Sequence, residues 1–149
     1  MLDLDLALQL KEAGLEWHPA ERDLFILPDS ELAHEPFMVS DRTTLVQNIN
    51  GQWMITFHGV VEWALDSVLL SDVVWIPTET QLREAIQLRL GGEQPRVSLT
   101  WQLSGYQCTF THFDQAHMFD QSTAERAYAQ ALLFLLRAKK APSSGTEQA

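Results

Sequence analysis

The stretch ITFHGVVEWALDSV, residues 55–68, carries two periodicities, and each predicts a different molecule. At helical spacing His58, Glu62 and Asp66 share a face, and three such groups together suit a metal ion or a proton transfer. At a spacing of two, and extended back to Trp53, one side of a strand carries Trp53, Ile55, Phe57, Gly59, Val61, Trp63 and Leu65. His58, Glu62 and Asp66 then fall on the other side. Strict alternation over this length is hard to obtain from a helix, and the Val60-Val61 pair favours extended backbone. The strand reading is preferred, with a bend or bulge at Gly59. A helix starting after Gly59 is the alternative, because Glu-Trp-Ala-Leu tolerates one. On a strand, same-face neighbours stand roughly 7 Å apart, so residues four apart share an ion only if the chain bends.

The flanking segments extend the strand reading. TTLVQNINGQWMITF, residues 43–57, holds two strand-like runs meeting at Asn50-Gly51, a pair that supplies positive φ angles at little cost. A two-residue turn there pairs Val46 with Ile55; a three-residue turn with a glycine bulge pairs Leu45 with Ile55. RDLFILPD, residues 22–29, reads as a strand closed by Pro28, and residues 37–41 as a further extended piece after a polar loop. VVWIP, residues 73–77, is a strand ended by proline.

Three segments read as helices. Residues 2–14 alternate leucines, but their Leu, Ala, Gln, Lys and Glu content and the closing Gly14 favour a helix. In TETQLREAIQLRLGG, residues 78–92, Thr78 and Gln81 have capping-box spacing, Leu82, Ala85, Ile86 and Leu90 form a stripe, and Gly91-Gly92 stops the helix. The last, STAERAYAQALLFLLRAKK from Ser122, repeats the capping-box spacing at Ser122 and Glu125. Between the second and third helices, RVSLTWQLSGYQCTFTHF reads as a hairpin. A Ser104-Gly105 turn would pair Leu103 with Tyr106, Trp101 with Cys108 and Leu99 with Phe110 on one apolar face.

Strands joined by tight turns pair antiparallel, and one-sided strands need an amphipathic helix as cover. The expectation is an α+β fold: a mainly antiparallel sheet of about five to seven strands covered by about three helices. Residues 1–138 read as a single α+β domain and residues 139–149 as a flexible C-terminal tail.

The chain carries 20 acids against 10 bases, a formal charge of −10, which disfavours direct nucleic-acid binding and attraction to anionic lipid. No apolar run approaches the roughly 20 residues of a membrane span, so no membrane partner is expected. Aspartates stand where a signal peptide would be basic, and Cys108 is the single cysteine; both point to a reducing cytoplasm.

Two clusters invite a metal reading. One is the His58, Glu62, Asp66 trio. The other, THFDQAHMFD, gathers His112, Asp114, His117 and Asp120 in a segment that reads as a loop able to wrap an ion. Neither spacing matches an established metal motif, and a polar sheet face or strand-end histidines explain both. Cys108 lies within an alternating apolar face and reads as a buried small hydrophobe rather than a nucleophile. Gly91-Gly92 closes a helix instead of opening one, so no phosphate loop is formed there. No cofactor and no catalytic residue is assigned. In the last helix Ala124, Ala127, Tyr128, Ala131, Leu132, Leu135 and Ala138 make a core stripe, and Ala129, Leu133 and Leu136 form a second apolar line beside it, with Phe134 between. That line is either extra burial under the first helix or an interface for a twin or another protein.

FMVSDRTT, ITFHGVVEWALDSV, VWIPTETQLREAI and TAERAYAQALLFLL together resemble a family of small bacterial proteins of unassigned activity, some labelled pilus assembly proteins. The resemblance spans most of residues 1–138, implies a bacterial cytoplasmic protein and carries over no catalytic residue. The strand–strand–TAERAYAQAL ending is also similar to a unit of phage-related and antitoxin-like α/β domains. The expected function is a noncatalytic acidic binding or adaptor protein with an unknown protein partner, or a homodimer. The alternatives are a small metal-dependent hydrolase and an acidic decoy of a nucleic-acid-binding protein.

Overall fold

Asn50 and Gly51 take φ angles of 53° and 86°, and this pair of left-handed residues closes a two-residue hairpin. The computed structural model describes residues 1–40, 44–58 and 67–140, the side chains of Lys139 and Lys140 excepted. Residues 59–66, with Glu62 and Asp66, lie outside the described residues, and so does the choice between strand and helix after Gly59. The described residues form an α+β fold with three helices and nine strands. The strands make three antiparallel sheets of three strands each, rather than one sheet of five to seven. Several are only two or three residues long, too short to carry pairing from one ladder into the next. The chain divides into two compact units, Glu16–Ile76 and a second formed by Met1–Leu15 with Pro77–Ala149.

In the Glu16–Ile76 unit, β1 (Leu24–Ile26) pairs with β2 (Phe37–Met38) and with β6 (Val74–Ile76). β3 (Thr44–Ile49), β4 (Gln52–Phe57) and β5 (Ser67–Leu69) form the other sheet. Val46 stands opposite Ile55, so the two-residue turn is the one adopted. Burial fades toward the turn. Ile55 is buried, but Trp53, on the same face, is 57% exposed because the hairpin runs past its cover. The core gathers Phe25, Leu27, Leu32, Val39, Ile55 and Val73. Phe25 is ringed by Trp17, Phe37 and Phe57 at centroid distances of 5.9, 5.6 and 6.4 Å. Asp23, buried, ties the entry to β1: its Oδ2 accepts from the Trp17 indole and from the Ala20 amide, both at 2.9 Å.

In the other unit, α1 (Leu4–Glu12) buries Leu6, Ala7 and Leu10. α2 (Glu79–Leu90) starts with the expected capping box: Thr78 Oγ1 accepts from Gln81 N at 3.2 Å, and Gln81 Oε1 accepts from Thr78 N at 2.9 Å. Its stripe Leu82, Ile86 and Leu90 is buried, and Gly91 ends it at φ 75°. Beyond it, Arg96 reaches back to the Leu90 carbonyl and across to the Thr111 carbonyl, holding α2 to the sheet. That sheet is β7 (Val97–Gln102), β8 (Gly105–His112) and β9 (Gln115–Gln121), in that order.

Several details differ from the sequence expectation. Trp101 pairs with Tyr106, Leu99 with Cys108 and Val97 with Phe110, a shift of two residues that keeps the apolar face but moves Leu103 into the turn. Gly105 is used within β8, where a neighbouring backbone comes too close for a side chain, and not as a turn residue. The His112–Asp120 segment is a strand hairpin, not a loop. α3 (Ala124–Lys140) is capped by Thr123, whose Oγ1 accepts from Arg126 N at 3.2 Å, one residue after Ser122. Arg126 also meets Asp3, the N-cap residue of α1, at 2.9 Å. α3 packs against α1, α2, β8 and β9, and its helical backbone runs past residue 138 to Lys140. Residues 141–149 of the expected tail lie outside the described residues. Among the described residues no helix is long and apolar enough to cross a membrane.

Candidate binding groove

His112 ends β8 and Gln115 begins β9, and Phe113 and Asp114 between them take φ 49° and 62°. Such a turn favours Asn-Gly; a phenylalanine in left-handed backbone costs on the order of 1–3 kcal/mol. The ring gains no burial in return, since Phe113 is 87% exposed. The strain holds an aromatic side chain at the lip of a groove of ≈ 960 Å³.

The groove is built from three elements of one unit. α3 supplies the floor with Phe134, Leu135 and Ala138. α2 supplies one wall with Arg89 and with Leu88, an apolar residue off the buried stripe and 80% exposed. The β8–β9 hairpin supplies the other with His112, His117 and Phe113. Phe134 fixes the imidazole of His117 at 4.4 Å between ring centroids and also meets Phe110 and Phe119 at 6.1 and 5.8 Å. His112 lies 4.3 Å from the Phe113 ring. A shallower depression of ≈ 400 Å³ shares Phe134 and Ala138 and adds Arg137.

The electrostatics of this surface run against those of the chain. Net charge is −10, yet among the described residues neither depression is lined by a carboxylate. Arg89 is half-buried, and burial lowers the pKa of its guanidinium. Its Nη1 donates to the Ala85 carbonyl at 3.1 Å, and among the described residues it has no acidic partner.

Among the described metal candidates, His112 and His117 share the groove and no third ligand joins them. His58 is exposed, with Nε2 3.1 Å from Thr56 Oγ1. His112 and His117 sit on the helix-facing side of the hairpin, Asp114 in the exposed turn, and Asp120 on the opposite face of β9, accepting from Gln107 Nε2 at 3.0 Å. Among the described residues no three His, Cys, Asp or Glu side chains converge as a metal site. Cys108 is a buried free thiol, its pKa raised by burial to about 12. Ala129, Leu133 and Leu136 are buried positions of α3, and Leu133 also borders the smaller depression.

At the other end of β8 the sheet exposes large apolar groups. Trp101 is 80% exposed and Leu103, in the turn, 108%. Among the described residues β7 pairs with β8 alone, leaving one edge open. The sequence placed Trp101 in the core because alternation gives the face and not the extent of the cover. Leu88 was visible in the sequence as the leucine that the α2 stripe does not use. In comparisons with known proteins the chain matches no family model, no curated protein and no solved structure.

Proposed function

We propose that this is a noncatalytic acidic binding or adaptor protein of the cytoplasm whose protein partner docks at the Trp101–Leu103 end of the β7–β8 hairpin. One observation carries the reading: two large apolar side chains, 80% and 108% exposed, stand together beside an open strand edge. Contact energy between proteins concentrates in a few residues, tryptophan prominent among them. An open edge also offers backbone groups to an added strand. The free buried thiol accords with a reducing compartment. A basic partner surface, or a second copy of this chain, fits the same contact.

The test is a photo-reactive amino acid at position 101, irradiated in cells, with position 98 on the polar face as control. A discrete adduct from 101 that disappears with Leu103→Ser supports the reading, and its mass tells a twin from a different protein. Equal labelling from both positions, or none, counts against it. Sedimentation of the purified chain at high concentration reads self-association directly.

A further inference from the structure

We propose that the groove between α2, α3 and the β8–β9 turn binds an amphiphile with an apolar tail and a single carboxylate head, the head at Arg89 and the tail along Phe134 and Leu135. A volume of ≈ 960 Å³ lies within the range of pockets that hold small molecules. Its apolar surfaces, Phe134, Leu135, Leu88 and Phe113, come from both walls and the floor, so a tail laid between them is taken out of water by three elements. Every polar side chain on its lining is a donor or can be one: the Arg89 guanidinium, the imidazoles of His112 and His117, and the Gln115 amide. None is a carboxylate, although the chain holds 20 acids.

The half-buried Arg89 guanidinium has the Ala85 carbonyl as an acceptor but no acidic partner among the described residues, so its lost hydration is only partly offset. A carboxylate would restore it through a two-pronged, charge-assisted pair. The head is assigned as a monoanion because one guanidinium faces the groove. Neither a glycine loop nor a helix N-terminus adds the further donors that a phosphate dianion draws on. This site stands at the opposite end of β8 from Trp101, six positions along the strand and so roughly 20 Å away. Protein docking there and ligand binding here can fail separately.

The experiment is calorimetry on the full chain with decanoate below its micelle concentration, beside decanol, decyl phosphate and decyltrimethylammonium, with amide NMR shifts locating the site. The expected result is saturable binding of one decanoate per chain, with shifts at His112, His117 and Phe134. Decanol and the cation should bind at least about tenfold more weakly. Arg89→Gln, with its helix content checked by circular dichroism, should weaken decanoate about tenfold and leave decanol unchanged. Leu88→Asp, at an exposed lip position that folding does not use, should weaken decanoate further by like charge. Four results would each overturn the proposal: no saturable decanoate binding, decanol binding as well as decanoate, decyl phosphate binding more tightly, or shifts confined to other surfaces.

Discussion

Gly105 meets Gln121 backbone to backbone. A Cβ on Gly105 would strike the Gln121 carbonyl oxygen, with its carbon at 3.2 Å and Ser122 Cα at 3.3 Å. The contact sits where β9 leaves the sheet for α3, so the glycine sets how closely the last strand and the last helix follow the hairpin. Its φ of 141° is a second demand that other residues resist. Gly105→Ala should cost about 2–4 kcal/mol, because backbone and not a flexible side chain must move. Denaturant titration would read the loss, and hydrogen exchange should quicken along β9 before α1.

The capping box of α2 gives a smaller and more local effect. Thr78→Ala removes the acceptor for the Gln81 amide and should cost about 1 kcal/mol. Thr78→Ser keeps the oxygen and should recover most of it. Melting temperatures of the two variants, compared under one buffer, check the difference; equal losses would mean that the threonine methyl, not the oxygen, matters.

Local chemistry was legible in the sequence wherever a short signal had one physical meaning. Thr78 with Gln81, Asn50-Gly51 and Gly91 each specify a backbone conformation through their own atoms, and each is found in its expected role. Signals that needed a distant partner misled. Gly105 resembled a turn glycine, but its reason is Gln121, which no local pattern reveals. Ser122 and Thr123 both offer a capping oxygen, and local spacing favoured the wrong one. The groove is further still from the sequence. Arg89, His117 and Phe134 sit on three elements, and only packing brings them to one surface. Leu88 alone left a trace, as an apolar residue outside its helix stripe.

Asp23 is a buried carboxylate that no motif announces, and its partners give a definite expectation. It accepts from the Trp17 indole and the Ala20 amide. Trp17 in turn stacks on Trp75 at 6.3 Å and 8° and tilts against Phe25 at 5.9 Å. Asp23→Ala leaves two donors without an acceptor and should cost about 2–4 kcal/mol. Asp23→Asn retains one carbonyl oxygen and should cost about half as much. Tryptophan fluorescence should shift in Asp23→Ala before global unfolding, since the indole loses its anchor; an unshifted spectrum would place the effect elsewhere.

Cys108 connects burial to pH. It faces Leu99 on one side and Phe119 on the other, inside the sheet–helix layer. Desolvation raises its thiol from 9.0 to about 12. Tyr128, also buried, shifts upward for the same first reason, against the opposing hydrogen bond and charge of Arg83. The folded chain therefore holds these protons more tightly than the unfolded chain. The Cys108 contribution is fully present below pH 9 and is lost as pH climbs from 9 toward 12, where the unfolded chain ionises first, and that of Tyr128 is lost as pH climbs above 10. Thermal stability should thus fall through that alkaline window, and Cys108→Ala, which removes one of the two groups, should flatten the fall. At neutral pH the thiol is protonated and enclosed, so a disulfide reagent should react only as fast as the layer opens, and at the ordinary rate in denaturant. Fast labelling of the native chain would show that the Cys108 side chain reaches solvent and would remove the basis for the raised pKa.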